Sequence, residues 1–211
     1  MRLFCLMGKS ASGKDSIYRE LLKDKELKLE PFVIYTTRPI REGEEEGREY
    51  HFTDVEGMDR LKRAGKVIES RVYHTVHGDW YYFTVDEGCD DEKDRLIIGT
   101  LEVYNKIKVY YGEESVIPLY INVDEGVRLE RALKRERMQS APKYAEMCRR
   151  FLADEADFSE EKIREAGIDV IYQNDDLKEC LKKIRERILY GHTEDKSVNT
   201  AGTGTGGQSS H

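Results

Sequence analysis

Apolar positions along the chain form short continuous runs that alternate with longer stretches of mixed polarity. Leu3–Met7 is an apolar run, residues 14–22 have a helical pattern, and residues 33–37 are rich in β-branched side chains. Further along, the alternation predicts strands at residues 96–98, 116–123 and 170–172 and helices at residues 101–110, 127–137, 144–166 and 177–189. Asp175 or Asp176 is expected to cap the last helix. Strands that alternate with helices are typical of a parallel sheet covered by helices.

Three stretches depart from this alternation. Residues from about 34 to 85 are crowded with Tyr, His, Thr and Gly between short strand-like runs, which predicts a small mixed insertion. Residues 138–142 form a polar break between two arginine-bearing helices, which predicts a hinged lid. Residues 191–211 contain almost no apolar side chains and cannot offset their ordering entropy by burial, so a disordered tail is expected. Apart from this tail, residues 1–190 are expected to form one domain.

Composition narrows the possible functions. A net charge of −7 disfavours general nucleic-acid binding, which requires a positive surface. The apolar runs are too short to cross a bilayer, and the first ten residues do not have the pattern of a secretory signal, so a cytoplasmic protein without a membrane partner is expected. The four cysteines are scattered, without the spacing of a zinc site or a disulfide framework, and are expected to be reduced: Cys5, Cys89, Cys148 and Cys180.

The segment GKSASGKDS at residues 8–16 has the spacing of a phosphate-binding P-loop, and it lies between a predicted strand and a predicted helix. In such a loop the backbone N–H groups and the helix N-terminus face the β-phosphate of a nucleotide, and the lysine bridges the β- and γ-phosphates. The alternative is a glycine-rich turn with an exposed lysine, which the flanking elements disfavour. The nucleotide phosphates are therefore expected on Gly8, Lys9, Ser10, Ala11, Ser12, Gly13, Lys14, Asp15 and Ser16.

Asp15 occupies the position at which the P-loop motif usually has a Mg²⁺-binding Ser or Thr, and Ser16 follows it. A carboxylate is also a good ligand for a hard cation, directly or through water. The same side chain could equally act as a negative charge at the N-terminus of the helix. Asp15 is therefore a candidate metal ligand, with that second role left open.

A second motif, YTTRPIREGEEEGREYHFTD at residues 35–54, resembles the signature of the guanylate kinase family. The resemblance continues through VIES at residues 67–70, HGDWYYF at residues 77–83 and NDDL at residues 174–177, and it covers residues 1–190. It implies a three-layer P-loop NTPase fold of the α/β class, with helices on both faces of a five-stranded parallel sheet. It also implies a mixed insertion that binds a nucleoside monophosphate and a helical lid at about residues 131–150.

The activity implied by the resemblance is transfer of a phosphoryl group from ATP, with Mg²⁺, to a nucleoside monophosphate, GMP or dGMP. Arg38 and Arg41 lie three apart on a turn held by Pro39, and two guanidinium groups can bind one phosphate from different sides. The family implies that these arginines and Tyr50 hold the acceptor phosphate and that Glu69 recognises the base. A carboxylate there accepts from guanine N1–H and the 2-amino group, whereas adenine would present an unpaired acceptor.

Arginines around the predicted lid form a third group. Arg131 and Arg135 are four residues apart and share one face of a helix, and Arg150 lies on the following helix. The resemblance places such arginines over the transferring phosphoryl group, and it implies that Asn174 lies near the adenine of ATP. Without the family, helices joined by salt bridges would be the preferred interpretation. The expected catalytic residues are Lys14, Arg38, Arg135 and Arg150, with Arg131 and Asn174 on the ATP side.

Two departures from the family bear on the acceptor. Ile34 and Tyr35 replace the usual serines before TTR, and Thr100 in IIGTLE replaces an aspartate that would contact the base or a metal-bound water. Guanine selectivity is therefore expected to be weakened or rebuilt, with Thr100 able to form one hydrogen bond. Tyr81, among the aromatic residues of HGDWYYF, is a further candidate substrate contact.

Two alternatives remain at this stage. The aspartate after the P-loop lysine resembles ribose 1,5-bisphosphate kinases, although the long arginine motif and Glu69 fit a nucleotide acceptor better. A catalytically silent domain that binds a protein or a phosphopeptide is the alternative from a different class, and retention of the ATP-side residues argues against it. Small-molecule nucleotides are the expected partners, and the sequence is compatible with a monomer or a homodimer.

Overall fold

The computed structural model describes residues 1–75, 78–88 and 93–191. The first half of the chain contains β1 (Leu3–Met7), α1 (Lys14–Lys23), β2 (Glu30–Pro31), β3 (Tyr35–Thr36), β4 (His51–Phe52), α2 (Val55–Arg63), β5 (Val67–Thr75) and β6 (Gly78–Val85). The second half contains β7 (Arg95–Ile98), α3 (Leu101–Tyr111), a 3₁₀ turn (Glu113–Ser115), β8 (Val116–Asn122), α4 (Glu125–Arg137), α5 (Tyr144–Asp157), α6 (Glu160–Glu165), β9 (Ile171–Gln173) and α7 (Leu177–Tyr190).

The larger sheet has the strand order β2-β7-β1-β8-β9, and every pair of neighbours is parallel. Strand β1 is buried along its whole length, so its side chains alternate between two cores. Leu3, Cys5 and Met7 pack with α3 and α6 on one face, and Phe4 and Leu6 pack with α1 and α7 on the other. The predicted three-layer α/β fold with a five-stranded parallel sheet is therefore confirmed.

A second sheet of four strands lies within the predicted insertion. Its order is β4-β3-β6-β5, with β3 and β4 parallel and the other neighbours antiparallel. It has a small core of its own, in which Met58 of α2 packs against Phe83 and Val85 of β6. Because side chains on a strand alternate between faces, one face of the β5–β6 hairpin covers this core and the other faces away from α2.

The structure differs from the predicted elements in two places. The helix predicted at residues 144–166 is two helices, because Ser159 caps α6 by accepting a hydrogen bond from the backbone N–H of Lys162 at 3.4 Å. The strand predicted at residues 33–37 is reduced to the two residues of β3. Asp176, one of the two predicted caps, accepts from the backbone N–H groups of Lys178 and Glu179 at the start of α7.

Some expectations concern residues beyond this description. Residues 192–211 of the predicted tail, as well as Cys89 and His77, lie outside the described residues. In the part of the chain that is described, no helix combines the length and the apolar character needed to span a bilayer.

Candidate active site

The P-loop connects the end of β1 to the start of α1 in a conformation that requires glycine at two positions. A Cβ atom on Gly8 would lie 2.5 Å from the carbonyl oxygen of Ile121 in β8. Gly13 has a φ of +91°, and its Cβ would lie 2.3 Å from the side-chain nitrogen of Asn174. Gly13 also begins α1, because its carbonyl accepts from the backbone N–H groups of Ser16 and Ile17. The two predicted glycines thus lie where the loop backbone comes close to other segments, at Ile121 and at Asn174.

Asn174 is hydrogen-bonded to the P-loop. Its buried side-chain amide donates to the backbone carbonyl oxygen of Ser12 at 2.7 Å, and the backbone carbonyl of Asn174 accepts from Arg131 at 3.3 Å. Two buried oxygens at this contact, Oγ of Ser12 and Oδ1 of Asn174, have no hydrogen-bond partner among the described residues. Asn174 therefore contacts the P-loop itself and Arg131 contacts Asn174, and contact of Asn174 with adenine stays a prediction.

Carboxylates of α5 contact the P-loop from its other side. The backbone N–H of Ser10 donates to Oδ2 of Asp154 at 2.7 Å, and the ammonium group of Lys9 forms an ion pair with Glu155. Burial raises the pKa of the Glu155 carboxyl, but the hydrogen bond and charge of Lys9, together with the charge of Arg128, outweigh it and hold that pKa below its ordinary value. The P-loop is thus hydrogen-bonded and ion-paired to two carboxylate groups of α5.

Arg128 joins these carboxylates to α4. Its side chain is only 1% exposed, it pairs with Asp154 and Glu155, and its guanidinium carbon lies 3.6 Å from the centre of the Phe151 ring. The sequence analysis allowed for salt bridges between the lid helices but overlooked Arg128. The signal was available, because Arg128, Ala132 and Glu136 are spaced by four and form the buried face of α4.

Arg38 is bound to another residue of its own loop. Its guanidinium is 2% exposed and forms two hydrogen bonds with the carboxylate of Glu44, at 2.8 and 2.9 Å. Its Nε donates to the hydroxyl of Tyr82 at 3.1 Å, and its charge lies 5.4 Å from the ring centre of Tyr50. The Arg38 hydrogen bonds hold the pKa of Glu44 below its ordinary value. Glu44 also accepts from the backbone N–H of Arg41 at 2.8 Å, so Arg38 orders the turn that carries Arg41.

A cavity of about 900 Å³ opens between the P-loop, the small sheet and α5. Its lining includes seven of the predicted site residues: Gly8, Ser10, Lys14, Arg41, Tyr50, Thr100 and Arg150. Ile34 is also part of the lining, so the cavity contains two residues that depart from the family pattern, Ile34 and Thr100. Burial raises the pKa of the Tyr50 hydroxyl, which keeps it a neutral donor near neutral pH.

Twelve predicted site residues are not among the described residues that line this cavity. Eight of them belong to the P-loop, the start of α1 and their contacts: Lys9, Ala11, Ser12, Gly13, Asp15, Ser16, Arg131 and Asn174. The other four are Arg38, Glu69, Tyr81 and Arg135. Arg135 is exposed on α4, one turn beyond Arg131. Tyr81 packs with Met58 and Phe83 under α2, and its ring lies 5.8 Å from the ammonium of Lys62.

The aromatic neighbours of Tyr81 in β6 point the other way. Trp80 and Tyr82 line the cavity, because alternate side chains of a strand occupy opposite faces. The sequence motif could not distinguish these neighbouring aromatic residues, since the choice depends on which face of β6 covers α2. A substrate contact through the Tyr81 ring has no support in this arrangement.

Glu69 and Arg71 lie on the same face of β5. One oxygen of Glu69 accepts from the hydroxyl of Thr84 at 2.6 Å, and the other accepts from Nε of Arg71 at 3.2 Å. The Glu69 side chain is 3% exposed, whereas Arg71 lines the cavity together with Thr100. Arg71 was missed by sequence reasoning, although its spacing of two from Glu69 in a strand places both on one face.

Asp15 is the candidate ligand for a metal ion. Among residues 1–75, 78–88 and 93–191, no three His, Cys, Asp or Glu side chains converge in a way that could hold one. Asp15 is exposed in the first turn of α1, next to Ser16 and Lys14. Kinase sites commonly bind Mg²⁺ through one or two protein groups together with substrate phosphates, so this arrangement is compatible with such a site.

Comparisons with known proteins agree with this geometry. The guanylate kinase from Porphyromonas gingivalis is 28% identical over 192 residues, which cover 89% of this chain and 96% of that protein. The guanylate kinase from Bordetella pertussis is 34% identical over 155 residues, 72% of this chain and 67% of that protein. The crystal structure of guanylate kinase from Anaplasma phagocytophilum has the same fold, with a TM-score of 0.57, 23% identity and coverage of 89% and 84% of the two chains. The family model for guanylate kinase matches residues 1–190, and the chain belongs to the guanylate kinase family.

Proposed function

We propose that this protein is a cytoplasmic guanylate kinase that transfers the γ-phosphoryl group of ATP, with Mg²⁺, to the phosphate of GMP or dGMP. The observation that carries the proposal is that Lys14, at the end of the P-loop, lines the same cavity as Arg41 and Tyr50 of the insertion. A donor phosphate on one side and an acceptor phosphate on the other would therefore face each other in one cavity, which has a volume of about 900 Å³.

ATP fits the P-loop because glycine at positions 8 and 13 leaves the backbone free to surround a phosphate, and the N-terminus of α1 favours negative charge. Lys14 would contact the β- and γ-phosphates. Asp15 or Ser16 would hold Mg²⁺ against them, and the ion would neutralise charge that develops on the phosphates. The N–H of Ser10 becomes available to a phosphate when Asp154 withdraws, so we expect the contact between α5 and the P-loop to change when ATP binds.

The acceptor phosphate binds to Arg41 and Tyr50. Arg38 positions this turn through Glu44 and becomes a direct contact if the phosphate displaces that carboxylate. A phosphate monoester is largely ionised near neutral pH, so no general base is required. The protein contributes the alignment of the two phosphates and the stabilisation of charge during in-line transfer.

The lid supplies further positive charge. Arg150 of α5 already lines the cavity, and Arg135 of α4 lies outside it. The turn at residues 138–143 joins these helices, and buried Glu136 accepts from the backbone N–H of Lys143 and from the side chain of Gln139. Closure of the two helices over the cavity would bring Arg135 toward the phosphates and exclude water.

The proposal is tested by coupled measurement of ADP formation with GMP, dGMP, AMP, CMP, UMP and ribose 1,5-bisphosphate as acceptors. Turnover is expected with GMP or dGMP, with weak or absent turnover on the others. Lys14→Ala should lower kcat by about a hundredfold or more, because a donor that stabilises transition-state charge is lost. Lys23→Ala is the matched control, since that lysine lies on the same helix and pairs with Glu20 on its outer surface.

Two results would overturn the proposal. Turnover with the sugar bisphosphate alone would identify a different kinase. A folded protein that turns over none of the acceptors would identify a binding domain.

A further inference from the structure

The paired side chains of Glu69 and Arg71 form a mixed hydrogen-bonding edge beside the cavity. Arg71 is 15% exposed and lines the cavity, and its Nε donates to Oε2 of Glu69 at 3.2 Å. Its two Nη groups have no hydrogen-bond partner among the described residues. Each carboxylate oxygen of Glu69 accepts one hydrogen bond and retains capacity for another, because a carboxylate offers about four acceptor sites.

The order of donors and acceptors on this edge matches guanine. The Watson–Crick edge of guanine presents the O6 acceptor, then the N1–H donor, then the 2-amino donor. A guanidinium beside a carboxylate presents a donor followed by two acceptors, which is the same order that cytosine uses to pair with guanine. Arginine is also the side chain that most often recognises guanine O6 and N7 in nucleic acids.

Neither of the two lining residues that depart from the family pattern supplies a charged donor for O6. Ile34 has no side-chain hydrogen-bonding group, although it lies where the family usually has serine. The hydroxyl of Thr100 accepts from the backbone N–H of Val103 as the cap of α3, at 3.3 Å. Arg71 also lines the cavity, and its Nη groups are charged donors that form no hydrogen bond with another described residue.

We infer that Arg71 is a base-recognising residue of the acceptor site, donating to O6 of guanine while Glu69 accepts from N1–H and the 2-amino group. This inference rests on the proposed function. It accounts for guanine selectivity in a chain that has isoleucine at position 34 and threonine at position 100. Adenine would place its amino group against the guanidinium and its N1 lone pair against the carboxylate, so both contacts would be mismatched.

The test compares acceptors that differ by one group on the base. In 6-thio-GMP, sulfur replaces O6 and is a poorer acceptor, while N1–H and the 2-amino group remain. IMP retains O6 and N1–H and lacks the 2-amino group. For each acceptor kcat/KM is measured with the wild type, Arg71→Met and Arg71→Lys. Arg63→Met is the control, because that arginine is exposed on α2, where it contacts the carbonyl of Asp59.

Arg71→Met is expected to lower kcat/KM for GMP by about tenfold to a hundredfold. The preference of the wild type for GMP over 6-thio-GMP should be largely lost, and the preference for GMP over IMP should be retained. Arg71→Lys should recover part of the first preference, because lysine supplies a single charged donor. Thermal unfolding of each variant separates loss of recognition from loss of the fold.

Four outcomes overturn the inference. An equal fall for GMP, 6-thio-GMP and IMP would mean that Arg71 binds the acceptor phosphate near Arg41 and Tyr50. Loss of the preference for GMP over IMP alone would mean that it only positions Glu69. If the wild type does not phosphorylate GMP, the proposed function fails and this inference fails with it. If the wild type does phosphorylate GMP and Arg71→Met keeps the same turnover and the same base preference, only this inference is refuted.

Discussion

Substitution of Gly13 by alanine tests the geometry of the P-loop. Alanine at a φ of +91° costs about 1 to 2 kcal/mol, because its Cβ crowds the following carbonyl in the left-handed region. The new Cβ would also lie 2.3 Å from the side-chain nitrogen of Asn174, well inside ordinary contact. Asn174 is buried and its backbone is held by Asn122 and Arg131, so it can relieve the collision only by giving up its 2.7 Å hydrogen bond to Ser12.

Loss of that buried hydrogen bond adds about 1 to 2 kcal/mol, so the free energy of unfolding should fall by about 2 to 4 kcal/mol in total. Gly65→Ala is the matched control. Gly65 also has a positive φ, +69°, but nothing lies within 4 Å of its Cβ position, so only the backbone cost of about 1 kcal/mol is expected. In the Asn174→Ala background the collision is absent, and the cost of Gly13→Ala should fall to that of the control.

Urea unfolding followed by circular dichroism measures all of these differences. With a slope of about 2 to 3 kcal/mol per molar urea, the midpoint for Gly13→Ala should fall by about 1 M. Equal lowering of the midpoint by Gly13→Ala and Gly65→Ala would show that contact with Asn174 adds nothing to the cost. A cost of Gly13→Ala that is unchanged when the Asn174 side chain is removed would likewise show that the collision plays no part.

Two further predictions concern ionisable groups away from the cavity. Burial raises the pKa of Asp94, but its hydrogen bonds to Arg2 outweigh that effect and hold the pKa below its ordinary value. The ion pair therefore contributes its full stabilisation above about pH 4, near the pKa of Asp in the unfolded chain. That stabilisation is lost as the pH falls through the lower pKa of the folded state. Asp94→Asn should therefore lower stability at pH 7 by about 1 kcal/mol in thermal unfolding, and a difference that persisted undiminished at acidic pH would contradict this. Burial raises the pKa of the Cys180 thiol to about 11 and that of Cys5 further, whereas Cys148 is exposed. Alkylation of the native protein at pH 8 followed by mass spectrometry should label Cys148 and leave Cys5 and Cys180 unlabelled until urea is added, and rapid labelling of Cys5 in the native state would show that this core is open.

Local chemistry was sufficient to predict most of the larger sheet and the P-loop. Strand β1 and helix α1 follow from an apolar run, a glycine pair and an amphipathic stretch within 23 residues, and a parallel sheet follows from the alternation of elements. Gly8, Gly13 and Lys14 could be proposed from the sequence as phosphate-binding residues because the chemistry of a phosphate loop is specified by residues that are neighbours in the chain. The break at Ser159 was missed because one capping residue interrupts an otherwise continuous helical pattern.

The direction of individual side chains required the tertiary structure. The sequence placed Tyr81 and Tyr82 in one aromatic cluster, but only the packing of α2 decides that the first is covered and the second lines the cavity. Arg71 and Glu69 are two residues apart in β5, yet the contact of Glu69 with Thr84 and the face that both residues share depend on the register of the β5–β6 hairpin. A sequence specifies which groups are available, and long-range packing decides which of them face the same space, because that choice depends on contacts between segments far apart in the chain.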